Sequence, residues 1–231
     1  MQTPEEHRLE EELRQCDPDK LDRTSEIENG HVENMSRELF EGFALLKKYK
    51  LAATFFGSAR CGAGDDIYED ATALAGALSK SGFAIITGGG GGIMSAANRG
   101  AHEAGGDSVG LNIRLPEEQA PNAFVSETKT FNYFFTRKVM LTFASEVYIY
   151  FPGGFGTFDE LFEILTLIQT KKIKRIPVIL YGKDYWQPML DLWQSQLVEK
   201  YKTIDAADLR LVVLVDTVEE AYREIMKSVK C

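Results

Sequence analysis

The sequence predicts an α/β protein with a single doubly wound parallel sheet and helices on both of its faces. Six short apolar runs alternate with longer segments of helical periodicity, which is the pattern of repeated strand–helix units. The runs are continuously apolar, as expected for strands that are buried on both faces. Two of them end in glycine-rich loops, where sheets of this kind bind ligands. We therefore expect a Rossmann-like fold.

The predicted strands are runs of six or seven residues, rich in aliphatic and aromatic side chains. In chain order they cover 51–56, 83–88, 107–113, 146–151, 176–181 and 209–215. A helix fits between each pair of neighbours, and such crossovers are what parallel pairing requires.

The predicted helices have apolar residues three and four positions apart, which places those residues on one face. In chain order they cover 36–49, 68–82, 89–106, 132–145, 157–170, 185–201 and 217–229. Each of the last six follows a predicted strand, so that the whole chain from the first strand onward forms one α/β domain.

Composition limits the class of protein. The chain has 231 residues, of which 44% are hydrophobic, enough for one sizeable core. It contains no run of about 18 apolar residues, and its acidic start lacks the apolar segment of a secretory signal. Its three cysteines (Cys16, Cys61 and Cys231) have no metal-ligand spacing. We expect a cytoplasmic protein without a structural zinc or a membrane partner.

The net charge of −9 is concentrated near the start of the chain. Residues 1–34 hold eleven acidic and four basic residues, which leaves about −2 for residues 35–231. We interpret 1–34 as an acidic leader, partly disordered or helical, and 35–231 as the catalytic domain. The leader could be a solvated segment or an interaction arm. The lack of a basic patch argues against a nucleic-acid partner.

The first glycine-rich loop follows strand 83–88 and comprises Thr87, Gly88, Gly89, Gly90, Gly91 and Gly92. It does not match the dinucleotide fingerprint, because position 93 is isoleucine and no acidic residue follows near Asn112. It also lacks the lysine of a P-loop. A strand end, a run of glycines and a helix start nevertheless present free amides to an anion. The alternative is a tight strand–helix connection.

The second loop, PGGFGT, follows strand 146–151 and contains Gly153, Gly154 and Gly156. Thr157 and Glu160 have the T-x-x-E spacing of a capping box for the helix at 157–170. A capping box does not require the proline and the three glycines. Both loops lie at strand ends and can offer free backbone amides to an anion, and the second is followed by an acidic residue. Together they indicate a site for a nucleoside monophosphate.

The helix at 132–145 contains Arg137 and Lys138 and no acidic residue. Its apolar residues surround Arg137, and a buried guanidinium without a partner costs several kcal/mol. We therefore expect an anion from elsewhere, either a distant acid such as Glu160 or a ligand.

Several segments together resemble the LOG (LONELY GUY) family. P-G-G-F-G-T-F-D-E at 152–160 resembles the family's P-G-G-x-G-T-x-x-E signature. The segment at 87–101 is similar to its glycine-rich motif, 133–140 to its Arg-Lys helix, and G-S-A-R at 57–60 to a motif of bacterial members. Family members are cytokinin-activating nucleoside 5′-monophosphate phosphoribohydrolases, long described as possible lysine decarboxylases. The resemblance covers roughly residues 50–200.

The resemblance implies hydrolysis of the N-glycosidic bond of AMP, or of an N6-substituted AMP, without a metal or cofactor. It implies catalytic roles for Arg137 and Glu160, and substrate binding by Ser58, Arg60, Lys138, Thr157 and the glycines of both loops. We expect a homodimer or a higher homo-oligomer. The alternative is a non-catalytic nucleotide or molybdenum-cofactor carrier of the same fold, but a carrier has no use for Glu160 beside the sugar.

Overall fold

A computed structural model describes residues 30–115 and 120–229. The chain divides into two compact units, residues 1–40 and 41–231. Helix α1, His31–Leu46, begins in the first unit and ends in the second. Most of the predicted leader lies outside the described residues, so its structure and the boundary at residue 35 remain predictions.

The second unit contains one sheet of seven parallel strands, in the order β4-β3-β2-β1-β5-β6-β7. The strands are β1 Ala52–Phe56, β2 Ala84–Thr87, β3 Ser108–Ile113, β4 Glu127–Phe131, β5 Val147–Tyr150, β6 Val178–Tyr181 and β7 Val212–Val215. The predicted doubly wound fold is confirmed, and each of the six predicted strands contains an observed one. The prediction for 209–215 began too early, since its first three residues belong to a 3₁₀ helix, Asp208–Leu211. β4 was not predicted, because at the edge of the sheet its first four residues alternate between half-buried and exposed, and only Phe131 is buried.

The helices after α1 are α2 Asp66–Lys80, α3 Ile93–Glu103, α4 Phe134–Thr142, α5 Phe155–Gln169, α6 Lys183–Leu192 and α7 Val218–Ser228. The predicted helix at 185–201 is in fact α6 followed by a π-helix, Trp193–Lys200. The prediction for 89–106 began too early, since the glycines form a loop before α3. The prediction for 157–170 began two residues too late.

The site-forming crevice follows from the strand order. The chain runs outward from β1 to β4 and then returns to place β5 on the other side of β1. The loops that follow β1 and β5 therefore diverge at the carboxyl edge of the sheet, which is where open α/β sheets bind ligands. The backbone amide of Ser58, after β1, bonds the carbonyl of Pro152, after β5, at 2.9 Å.

Candidate functional site

A cleft of about 790 Å³ lies at the carboxyl ends of β1, β2, β3 and β5. Nine of the residues predicted for the site line this cleft: Ser58, Arg60, Gly88, Gly90, Arg137, Gly154, Gly156, Thr157 and Glu160. Six others lie outside its lining: Thr87, Gly89, Gly91, Gly92, Lys138 and Gly153. Segments about 100 residues apart in the chain thus meet at one edge of the sheet, as the two-loop hypothesis requires.

The loop after β5 leads directly into α5. Gly154 is the N-cap residue, without a side-chain cap, and the amides of the next three residues have no acceptor within the helix. A Cβ at Gly154 or Gly156 would meet no atom within 4 Å, so the surface above these amides is open. The helix start therefore offers amide donors and a positive dipole end to the cleft.

The predicted capping box is wrong. The helix begins at Phe155, so Thr157 is its third residue and cannot cap it. The side chain of Thr157 instead lies close to Gly153, where a Cβ would come within 2.0 Å of its Oγ1. Glu160 is thereby free of any capping role at the start of the helix.

Glu160 lies on the second turn of α5, is 9% exposed, and lines the cleft. Its backbone carbonyl accepts a bond from the Tyr150 hydroxyl at 3.2 Å, while its carboxylate has no hydrogen-bond partner among the described residues. Burial raises the pKa of this carboxyl from 4.5 to about 7, although Arg137 and Lys138 act in the opposite direction. The group is therefore poised to change protonation near neutral pH.

Arg137 lies on α4, and its guanidinium is fixed above the glycine loop. Its Nε donates to the carbonyl of Leu111 at 2.7 Å, and a Cβ at Gly88 would lie 2.3 Å from its Nη2. Burial lowers the pKa of Arg137, and the charge of Glu160 opposes this effect. Of the two expected anions, the acid Glu160 acts on Arg137 through its charge without a direct ion pair, and a ligand anion stays a prediction.

The glycine loop after β2 is held in place by hydrogen bonds to buried or half-buried polar side chains. The buried hydroxyl of Thr87 accepts from the amide of Gly89 at 2.9 Å and donates to Oδ1 of Asn98 at 2.6 Å. Asn122 clamps the same loop, because its backbone amide bonds the Gly89 carbonyl and its side chain bonds the Gly90 carbonyl at 3.0 Å. Thr87 therefore supports the loop from beneath rather than facing the cleft.

A glycine at position 92 allows the loop after β2 to pack closely against the loop after β1. Gly92 has a φ of 64°, and a Cβ there would lie 2.0 Å from the carbonyl oxygen of Ser58. The next amide, that of Ile93, bonds the same oxygen at 2.9 Å. The glycine thus joins the loop after β2 to the loop after β1, which carries Ser58 and Arg60.

Lys138 is not part of the cleft lining and is held by two acids. Its Nζ lies 2.9 Å from Asp159 and 3.0 Å from Glu163. Burial alone would lower the pKa of Lys138, but these hydrogen bonds outweigh it and raise the pKa. It reaches the site through Asp159, which lines the cleft, and through its charge, which acts on Glu160.

Sequence reasoning did not identify several cleft residues as site residues, among them Met94, Asn112, Phe134 and Phe155. Met94 and Asn112 carry no chemical signature by themselves, and only tertiary packing brings them to the cleft. In the described residues, no cluster of His, Cys, Asp or Glu could hold a metal ion. In the same part of the chain, no helix has the length and apolar character of a membrane span.

Comparison with known proteins places the second glycine-rich loop and Glu160 within a known family model. A family model described as possible lysine decarboxylase matches residues 94–225. A probable cytokinin riboside 5′-monophosphate phosphoribohydrolase of rice (Oryza sativa subsp. japonica) is 31% identical over 147 residues, which are 62% of this chain and 62% of the relative's length. A cytokinin riboside 5′-monophosphate phosphoribohydrolase of Rhodococcoides fascians is 27% identical over 171 residues, 71% of this chain and 84% of that one.

Solved structures share the fold. The molybdenum cofactor carrier protein of Chlamydomonas reinhardtii has a TM-score of 0.58 at 22% identity, covering 78% of this chain and 98% of its own. The molybdenum cofactor binding protein of Rippkaea orientalis has a TM-score of 0.56 at 20% identity, covering 77% and 94%. At such low identity, the likeness concerns the fold alone.

Proposed function

The chain belongs to the LOG family, whose family model is described as possible lysine decarboxylase, and we propose that it is a nucleoside 5′-monophosphate phosphoribohydrolase. Its substrate is AMP or an N6-substituted AMP, and its products are the free base and ribose 5-phosphate. The observation that carries the proposal is the buried carboxyl of Glu160, which faces a cleft beside Arg137 and the open start of α5.

The phosphate would bind at the start of α5. The free amides there, with the hydroxyl of Thr157, suit a phosphate, and the glycines leave room for its oxygens. Glu160 follows one helical turn after Gly156, so a phosphate at the helix start would place the attached ribose beside the carboxylate. This anchoring would hold the sugar for attack by water.

Hydrolysis breaks the bond between C1′ and the base nitrogen and passes through a state in which the sugar resembles an oxocarbenium ion. The ionised carboxylate of Glu160 would stabilise that positive charge and orient the attacking water, from which it can take a proton. Arg137 lies across the cleft, where its guanidinium would hold the ribose phosphate or the departing base. The base leaves with a proton, and water supplies the new hydroxyl at C1′.

The family model's description as possible lysine decarboxylase finds no support in the cleft. Pyridoxal-dependent decarboxylation requires a lysine that binds the cofactor. The described lining of the cleft contains no lysine, and the neighbouring Lys138 is occupied by Asp159 and Glu163. We therefore propose a reaction that needs no cofactor.

Replacing Glu160 tests this proposal. Glu160→Gln keeps the size of the side chain and removes its charge, so we expect base release from AMP to fall about 100-fold or more while AMP binding is largely retained. Arg137→Ala should weaken both AMP binding and base release. Chromatography of the free base after incubation with AMP, GMP, CMP and N6-isopentenyl-AMP measures turnover, and calorimetry measures binding.

The matched control is Glu163→Gln, the same change one turn along α5, at a carboxylate that pairs with Lys138. We expect its turnover to stay within a few-fold of the unmodified protein. Near-normal turnover in Glu160→Gln would contradict the catalytic role of that residue. If the unmodified protein released no base from any of the four nucleotides, the carrier alternative would replace the enzyme.

A further inference from the structure

The two ends of the cleft differ in how their glycines are used. At the α5 end, a Cβ at Gly154 or Gly156 would meet nothing within 4 Å. At the β2 end, a Cβ at Gly88 would lie 2.8 Å from Sδ of Met94, and one at Gly90 would lie 2.8 Å from its Cε. The α5 end is therefore open to a ligand oxygen, whereas the loop after β2 is already covered by a thioether and by Arg137.

If the proposed function holds, this difference determines which end of the cleft receives the phosphate of a bound nucleotide and which end receives its base. With the phosphate at α5 and the ribose beside Glu160, the base extends towards the ends of β2 and β3. From β5 to β3 the sheet has three strand spacings, about 14 Å in all. A purine nucleotide is long enough to reach from the phosphate site to the end of β3. Met94, Ile113 and Leu115 line that end with apolar surface that suits a planar ring.

Asn112 is the polar side chain of β3 at this end. It lines the cleft and is 8% exposed. Its Oδ1 accepts a bond from the Thr128 hydroxyl at 2.7 Å, whereas its Nδ2 has no hydrogen-bond partner among the described residues. Nδ2 is not among the described side-chain atoms that are buried without a partner, so it is open to the cleft and free to donate to a ligand there.

The surroundings of Asn112 make room for its amide group. A Cβ at Gly89 would lie 2.4 Å from its Oδ1, and a Cβ at Gly110 would lie 3.0 Å from the same atom. Two glycines thus clear the space that the amide fills, and the bond to Thr128 holds the amide group in place. A donor held in one orientation can discriminate between ligands better than a freely rotating one.

We propose that Asn112 is a specificity-determining residue that donates its Nδ2–H to a ring nitrogen or carbonyl oxygen of a purine base. This proposal rests on the proposed function for the direction of the nucleotide. It assigns to the β3 end of the cleft the recognition of the base, and to the α5 end the recognition of the phosphate.

Asn112→Leu tests the assignment, because leucine has nearly the same size as asparagine and cannot donate a hydrogen bond. The Thr128 hydroxyl is not left unpaired in this variant, since it can still donate to the Gly110 carbonyl at 3.1 Å. Calorimetry with AMP and with ribose 5-phosphate separates the two ends of the cleft. We expect AMP to bind about 10-fold more weakly and ribose 5-phosphate to bind as before. Asn112→Asp, which replaces the donor by an acceptor, should lose at least as much affinity for AMP.

Three outcomes would overturn the proposal. One is an unchanged affinity for AMP in Asn112→Leu, and another is an equal loss of affinity for ribose 5-phosphate. The third is tighter AMP binding in Asn112→Asp, which would mean that the residue accepts a bond from the base. If Asn112→Leu does not fold, Thr128→Val should give a smaller loss of the same selective kind. These measurements report binding, so they remain decisive even if the protein releases no base.

Discussion

At the scale of single residues, the protonation of Glu160 determines the expected pH dependence. Burial raises its pKa to about 7, and the proposed mechanism requires the ionised form. We therefore expect kcat/KM for AMP to rise roughly tenfold per pH unit below pH 7 and to level off above it. The measurement is a pH series of base release.

Glu163→Gln is again the control and should keep the rise, with its midpoint at or below that of the unmodified protein, since Glu163 lies outside the cleft lining and its charge raises the pKa of Glu160. The residual activity of Glu160→Gln should lose the rise near pH 7. Activity that falls as pH rises through 7 would show that Glu160 works in its protonated form, as an acid that helps the base to leave.

The same residue shows what a sequence can and cannot reveal. The motif P-G-G-x-G-T-x-x-E was sufficient to select Glu160, but its T-x-x-E spacing also suggested a capping box. The two readings differ by where the helix begins, and a shift of two residues removes the capping role. Asn112 shows the opposite limit, because the role proposed for it rests on its contacts with Thr128 and Gly89, which are distant in sequence.

At the scale of elements, a buried polar network joins α3 to the glycine loop. Asn98 is fully buried and bonds Thr87, Ser108 and Asn122, so that β2, β3 and the segment around residue 122 meet at one side chain. The Asn98 oxygen is the acceptor for the buried Thr87 hydroxyl proton, which would otherwise be buried without a partner. The network therefore holds the shape of the loop beneath Arg137.

We expect Asn98→Ala to lower the free energy of unfolding by about 2–4 kcal/mol, because it removes three side-chain hydrogen bonds and leaves the buried Thr87 hydroxyl without its acceptor. Urea denaturation of the full chain measures this change. Ser95→Ala on the same helix is the control, since Ser95 makes one 3.3 Å contact with Tyr68 and should cost less than about 1 kcal/mol. Equal losses in the two variants would show that the network contributes little to stability.

Elements that failed to appear in the sequence pattern share a physical cause. β4 lies at the edge of the sheet and carries Glu127 and Lys129, so it lacks the continuous apolar run of an interior strand. The π-helix at Trp193–Lys200 continues the apolar spacing of α6 closely enough to read as one helix. The edge strand and the π-helix both depend on packing against neighbouring elements rather than on local amino-acid composition.

At the scale of the whole molecule, the alternation of strands and helices was sufficient to predict the parallel sheet, but it does not contain the order of the strands. The order places β1 between β2 and β5 and thereby brings both glycine loops to one cleft. The sequence could predict that the loops lie at the same edge of the sheet. Their adjacency came from the reversal of strand order between β1 and β5.

The distribution of charge along the chain gives the last prediction. The first 34 residues carry −7 of the net charge of −9, whereas the cleft-lining residues lie between Phe55 and Glu160. If the acidic leader is a solvated segment, its removal should affect neither the site nor self-association. We expect a variant that lacks residues 1–29, and so keeps α1 intact, to release base from AMP at an unchanged rate. In sedimentation velocity, both forms should behave as homodimers.

Two results would contradict this expectation. Dissociation of the truncated form to monomers would identify the leader as an assembly arm. A change in the rate of base release alone would connect the leader to the site.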